Sequence, residues 1–190
     1  VFIRYTIALN IINRLLSHGK NMFDTVVFNS NPFGFRSFES GEALPFDGAV
    51  TLFGSNGLSY VKKSDVSNNT SLIDKWKVIM SKASAEHAGQ TDKEGRRKII
   101  SRIEVLEPNT INSESYLLLK TFDNQQEAWN MRKYATTSFF RFLLSTVLLT
   151  QNIAKDKFKF IPVQDFTTNS DIKWNSSVSD IDKQLYAKYN

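Results

Sequence analysis

Apolar residues recur at helical spacing at the start of the chain, where Phe2, Ile3, Ile7, Ile11, Ile12, Leu15 and Leu16 are separated by Arg4, Asn10, Asn13 and Arg14. This pattern predicts an amphipathic helix over residues 2–18, stopped by Gly19. Residues 23–28 have the β-branched and aromatic character of a short strand. Residues 29–48 hold two prolines and three glycines, too many for a continuous element, and read as an irregular loop. Residues 49–53 and 58–62 flank Gly54-Ser55-Asn56-Gly57, whose members tolerate positive φ, so a β-hairpin is expected there. Residues 64–71 are polar and turn-like, and residues 76–80 read as another strand. Residues 81–97 are poor in large apolar side chains and predict an exposed loop. A strand over 99–106, ended by Glu107-Pro108-Asn109, and a buried strand over 115–120 follow.

The most hydrophobic stretch organises the rest. Phe139, Phe140, Phe142, Leu143, Leu144, Val147, Leu148 and Leu149 leave almost no polar face, so a helix here must be covered on nearly all sides. Arg141, Ser145 and Thr146 interrupt the run, which falls short of the roughly 18 uninterrupted apolar residues that a membrane span needs. Ahead of it, Asp123 with Gln126 three residues later predicts the capped start of a helix over 124–134. Residues 158–163 read as a last strand, at an edge or an end because of Pro162. A polar stretch then leads to Ser177 and Asp180, which open a short helix presenting Val178, Ile181, Leu185 and Tyr189 on one face. The expected fold is α+β, a mixed and largely antiparallel sheet packed against a few helices, one of them central and hydrophobic. Residues 1–166 form the α+β domain, and residues 167–190 a polar linker with a C-terminal amphipathic helix.

Composition adds limits. The 190 residues contain 24 Lys and Arg against 19 Asp and Glu, a formal net charge of +5, and the pI is about 9.3; this balance suits a polyanionic partner without requiring one. Cysteine is absent, which removes disulfides and thiolate metal sites and fits a reducing cytoplasm. The chain opens at Val1 inside an amphipathic pattern with no charged leader, as an internal fragment of a larger protein would. His18 and His87 are too few for a histidine-metal nuclease, and no Walker loop, nucleophile elbow or zinc spacing occurs. Asp171-Ile172-Lys173 is the nearest approach to a metal-dependent nuclease motif, without a matched upstream acid.

Several strings resemble the C-terminal part of large bacterial restriction-modification proteins, the adenine-specific DNA methyltransferases with a fused target-recognition region. They are Asn31-Pro32-Phe33-Gly34-Phe35-Arg36, the segment from Leu72 to Val78, Glu114-Ser115-Tyr116, Thr137 to Arg141 with Leu143 and Leu144, Thr150-Gln151-Asn152, Lys157-Phe158, Phe160 to Phe166, and the tail from Asp180 to Tyr189. Asn31-Pro32-Phe33-Gly34 is not the Asn-Pro-Pro-aromatic tetrapeptide that holds an extruded adenine. The second proline is missing, and no glycine-rich donor loop precedes it. The resemblance implies that this stretch reads a double-stranded DNA target, in the cytoplasm and without a membrane, for a methyltransferase part lying N-terminal on the same polypeptide. S-adenosylmethionine would be bound there and no cofactor here; cleavage by the parent stays open, and no catalytic residue is expected in this stretch.

Recognition chemistry then selects candidates by type. Basic groups fix register on phosphates, and loop amides or guanidinium groups address base edges. Lys62, Lys63, Arg96, Arg97, Lys98, Lys155 and Lys157 are the phosphate candidates, and Arg36, Asn56, Gln151 and Asn152 the base-facing ones. The cluster at Arg96, Arg97 and Lys98 is equally readable as a solvated charged face. Phe33, Phe35 and Phe38 either stack on bases or pin their loop to the core, with the core reading favoured because loose aromatics more often pack. A different class remains open, a structural domain whose first and last helices dock on the methyltransferase part. A free-standing nuclease using Asp171 is the third.

Overall fold

The computed structural model describes residue 3 and residues 7–19, 21–84, 93, 99–148 and 150–189. The fold is α+β. Helix α1 covers Ile7–His18, the hairpin strands β1 and β2 cover Ala49–Gly54 and Gly57–Lys62, and β3 covers Trp76–Ser81. Strands β4 (Ile103–Leu106), β5 (Thr110–Asn112) and β6 (Tyr116–Phe122) follow, then helices α2 (Gln125–Thr136), α3 (Ser138–Ser145) and α4 (Val178–Lys188).

The strands form two three-stranded sheets where the sequence pattern suggested one. The first has the order β2-β1-β5, antiparallel between β1 and β2 and parallel between β1 and β5; the second, β4-β3-β6, is antiparallel throughout. Asn109 makes the switch from one sheet to the other. It adopts φ 61°, its N–H donates to the Ile73 carbonyl (2.9 Å), and its side-chain amide donates to the Ala49 carbonyl (2.9 Å). Asparagine tolerates this left-handed conformation better than other L-residues. The three-residue β5 that follows is too short to leave a periodic signal, which is why sequence pattern alone missed it.

Alternation along β3 and β6 explains why both strands read as nearly continuous apolar runs. Val78, Met80, Leu117 and Leu119 enter one cluster with the helices, while Ile79, Tyr116 and Leu118 enter a second with Phe33, Val50, Leu52 and Ile111. Sheet β4-β3-β6 is therefore buried on both faces, helices on one side and the smaller sheet on the other. Lys77 shares this interior. Its ammonium is fully buried and donates to the carbonyls of Ile73 (2.6 Å) and Lys75 (2.7 Å).

Several expected elements take another form. Residues 23–28 hold a 3-10 turn at Phe23–Thr25 rather than a strand. Val26 and Val27 both donate backbone N–H groups to the Phe23 carbonyl, and Phe23 and Val27, four apart, are the buried pair. Residues 158–163 likewise do not form a strand. A 3-10 turn covers Lys155–Phe158, and Pro162 makes only an isolated bridge to Met22. Strand β4 starts at Ile103, because Ile99 and Ile100 are buried outside any ladder. Helix α2 is capped by Asn124, whose side chain accepts from the Glu127 N–H (2.9 Å), one residue beyond the Asp123 cap expected.

The hydrophobic helix α3 is short. The Ser145 hydroxyl donates to the Phe142 carbonyl (2.6 Å) and the Thr146 hydroxyl to the Leu143 carbonyl (2.7 Å), and such local bonds compete with continuation of the helix. Its start is held twice. Thr137 accepts from the Phe140 N–H (3.2 Å), and the Asp182 carboxylate of α4 accepts from Ser138 (2.8 Å) and Phe139 (2.9 Å). Residues 167–189 pack into the helix-side core through Ile172, Trp174, Ile181 and Leu185. Among the described residues no helix is long and apolar enough to cross a membrane.

Two measurements check these energetics. Phe140 is fully buried, whereas Phe142 is only half-buried. Phe140→Ala should cost about 3–5 kcal/mol of unfolding free energy in urea, and Phe142→Ala markedly less; equal losses would show that α3 is packed differently. Burial lowers the Lys77 pKa from 10.5 to about 8 against the opposing charge of Asp74. The unfolded chain then binds that proton more tightly, so the cost of burying the ammonium is full below about pH 8 and disappears as pH rises toward 10.5. Relative to Lys77→Met, the wild type should gain about 3 kcal/mol across that window in denaturant titrations, and parallel pH profiles would refute the assignment.

Candidate nucleic-acid interface

Beyond the end of β3 the chain keeps pairing, which builds a cleft of about 580 Å³. Lys82 donates its N–H to the Ser115 carbonyl (3.0 Å) and accepts from the Ile153 N–H (2.8 Å), while Ser84 donates to the Gln151 carbonyl (2.7 Å). Ala83 and Asn152 are thereby bridged antiparallel. These bonds bring Gln151 and Asn152 to one wall of the cleft, and Ser37 and Ser55 form another.

Glu114 and Lys82 lie between those walls. The Glu114 carboxylate pairs with Lys82 (3.4 Å) and Arg36 (3.5 Å) and accepts from the Ser30 hydroxyl (3.2 Å), which itself accepts from Lys82 (2.7 Å). Burial by itself pushes the Glu114 carboxyl up, and the Lys82 ammonium, the Ser30 hydroxyl and the Arg36 charge outweigh it and hold it below the ordinary glutamate value. Arg36 is thus tethered at the rim while most of its side chain stays in solvent, 63% exposed. Ser30 also borders a second cleft, of about 480 Å³, with Asp24, Asn29 and Lys155.

The loop carrying Arg36 is held by its own motif. Asn31 has φ 58°, and Gly34 has φ 98° with the position of a Cβ only 2.0 Å from the Ser67 hydroxyl oxygen. Glycine is required there for both backbone shape and close approach. Asn69 donates to the Pro32 carbonyl (2.6 Å), and the Phe35 carbonyl accepts from the Glu114 N–H (2.8 Å). Asn31-Pro32-Phe33-Gly34 therefore acts as scaffold, with Phe33 fully buried.

The base-facing candidates converge better than the phosphate candidates. Gln151 and Asn152 line the cleft, Arg36 pairs with its Glu114, and Asn56 follows Ser55 in the exposed hairpin turn beside it. Lys62 and Lys63 lie at the other end of β2, about 17 Å along the strand from Gly57, and Lys63 pairs with Asp74 (3.8 Å). Lys155 and Lys157 share the Lys155–Phe158 turn, where Lys157 pairs with Asp156 (2.8 Å). Arg96, Arg97, Lys98 and His87 lie outside the described residues. Sequence reasoning missed Lys82, Glu114, Ser37 and Ser55, because none lies on a periodic pattern and only chain crossing brings them together.

Other candidate chemistry has a structural explanation. Asp171 pairs with Lys188 (2.7 Å) and its neighbour Ile172 is buried. The His18 ring packs edge-on against Tyr189, 5.5 Å between centroids. Among the described residues no group of three or more His, Cys, Asp or Glu is placed to hold a metal ion. Comparison with known proteins finds no matching family model, no matching curated protein and no matching solved structure.

The Glu114 network has a testable acid limb. Its lowered carboxyl contributes stability that is present above the usual glutamate range, near pH 4.5, and lost as pH falls through its folded value. Glu114→Gln should flatten the decline of the urea midpoint as pH falls below the ordinary glutamate range; an unchanged decline would mean that Lys82 and Arg36 do not hold the carboxylate in solution.

Proposed function

We propose that this chain recognises a double-stranded DNA target for a restriction-modification enzyme of the adenine methyltransferase type. The observation that carries the reading is the cleft lined by Gln151, Asn152, Ser37 and Ser55, whose Glu114 tethers the Arg36 guanidinium (3.5 Å). Arginine pairs bidentately with guanine, and asparagine or glutamine with adenine, so these groups suit base edges. The sequence strings that resemble target-recognition regions support the same reading, and two of them, Glu114-Ser115-Tyr116 and Thr150-Gln151-Asn152, supply residues that line the cleft. In this reading Lys62, Lys63, Lys155 and the Arg96-Arg97-Lys98 cluster meet phosphates. Methyl transfer and S-adenosylmethionine belong to another part of the same cytoplasmic polypeptide.

A second reading rests on a separate observation. Ile11, Phe142 and Tyr186 border an apolar groove of about 340 Å³ between α1, α3 and α4, and Tyr186 is 49% exposed there. A subunit-contact domain would use such a groove and touch DNA weakly.

Salt titration of binding to several duplexes separates the two. Replacing Arg96, Arg97 and Lys98 by alanine should weaken every duplex by a similar factor and lower the slope of log affinity against log salt by roughly 0.9 for each lost contact. Asn152→Ala or Arg36→Ala should instead change the preference among sequences by roughly 1–3 kcal/mol. Wild-type binding that is weak and insensitive to salt would favour the subunit-contact reading.

A further inference from the structure

The loop aromatics that sequence left ambiguous divide sharply. Phe33 and Phe35 are 0% and 9% exposed and belong to the core between the sheets, whereas Phe38 is 79% exposed. An exposed phenylalanine on a slack loop would be unremarkable, but this one is held. Arg36 to Glu39 form a tight turn in which the Glu39 N–H donates to the Arg36 carbonyl (3.2 Å), and the Arg36 N–H donates to the Glu39 carboxylate. The Ser55 hydroxyl ties the Ser37 carbonyl to the hairpin turn (3.0 Å). On the other side the Gly41 N–H donates to the Ser59 hydroxyl (2.9 Å), and Glu42 and Tyr60 exchange both backbone bonds (2.8 and 2.9 Å). A Cβ at Gly41 would lie 2.1 Å from the Tyr60 carbonyl oxygen, so the loop is pressed against β2.

Phe38 is thus carried by a turn whose backbone is braced on both sides, and it directly follows Ser37 of the cleft lining. An exposed apolar ring carried next in the chain to Ser37 of the cleft and two residues from the tethered Arg36 matches a ligand that has a π face and a hydrogen-bonding edge. A nucleobase has both. We propose that Phe38 is a base-stacking residue, covering the face of a nucleobase that is unstacked from the duplex at the cleft. The inference rests on the DNA reading above and deepens it, since it requires the bound DNA to be locally opened and not only contacted along its grooves. Bracing matters to this role, because the backbone that carries the ring is already ordered and loses little freedom when a base docks on it.

The test uses the wild type, Phe38→Ala, Phe38→Leu and Phe38→Trp with duplexes carrying 2-aminopurine at successive positions, titrated at several salt concentrations. Wild type and Phe38→Trp should bind with similar affinity and raise the 2-aminopurine fluorescence at one position, the sign of an unstacked base. Phe38→Ala and Phe38→Leu should bind about 5- to 150-fold more weakly, the loss of one base-aromatic stack, with the salt slope and thermal midpoint unchanged because neither charge nor core is removed. Equal affinity of wild type and Phe38→Ala, with DNA bound in the normal salt-dependent way, would overturn the stacking role while leaving DNA recognition in place. That result would assign the ring to a protein contact. Absence of salt-dependent DNA binding by the wild type would overturn both readings together.

Discussion

The fully buried Tyr134 is the point on which the helical half of the molecule depends. Its ring meets Phe23, Phe140, Phe166 and Trp174 at centroid distances of 6.1, 5.2, 6.0 and 6.2 Å, and its hydroxyl donates to the Pro162 carbonyl (2.7 Å). These partners come from the turn after α1, from α3, and from the two segments between α3 and α4. A buried phenol needs a hydrogen-bond acceptor, and a backbone carbonyl away from any ladder needs a donor. One side chain satisfies both and fixes where residues 162–166 cross α2. Asn130, one turn earlier on the same helix, repeats the device by donating to the Phe166 carbonyl (2.8 Å). Burial pushes the Tyr134 phenol well above its ordinary pKa, so it stays a neutral donor.

The sheet buried on both faces transmits this order to the cleft. Leu117 and Leu119 face the helices and Tyr116 and Leu118 face the smaller sheet, so Glu114 and Ser115 emerge from a strand that cannot shift register without exposing one of its faces. On the other wall, the bonds from Lys82 and Ser84 to residues 151–153 attach the chain leaving α3 to the end of β3. The cleft therefore lies between two rigid supports, although no regular element crosses it.

Electrostatics shape how that cleft is presented. Glu114 offsets two cations, Lys82 and Arg36, and in doing so orients them. A tethered guanidinium loses less side-chain entropy when it forms a bond than a free one does. The local charge is close to balanced, so the cleft itself has the chemistry of a hydrogen-bonding surface more than that of a phosphate track. Bulk attraction to a polyanion would then come from lysines and arginines elsewhere on the net positive chain, which separates positioning from reading.

Sequence by itself determined the features whose causes are local. The hairpin at Gly54 to Gly57, the N-cap by Ser177 through the Asp180 N–H, and the amphipathic faces of α1 and α4 follow from turn chemistry, capping and periodicity within a few residues. Fold class was legible for the same reason. Tertiary structure decided what depends on distant partners. Phe23 donates its N–H to the Ile161 carbonyl (2.7 Å), and with that contact made both of their segments settle as turns, despite a β-like composition. The division into two sheets rests on one positive φ at Asn109, and the separation of Phe38 from Phe33 and Phe35 on which rings the core had room to bury. The Glu114, Lys82 and Arg36 network joins residues up to 78 positions apart, and no local pattern records a pairing whose energy exists only once the intervening chain has folded.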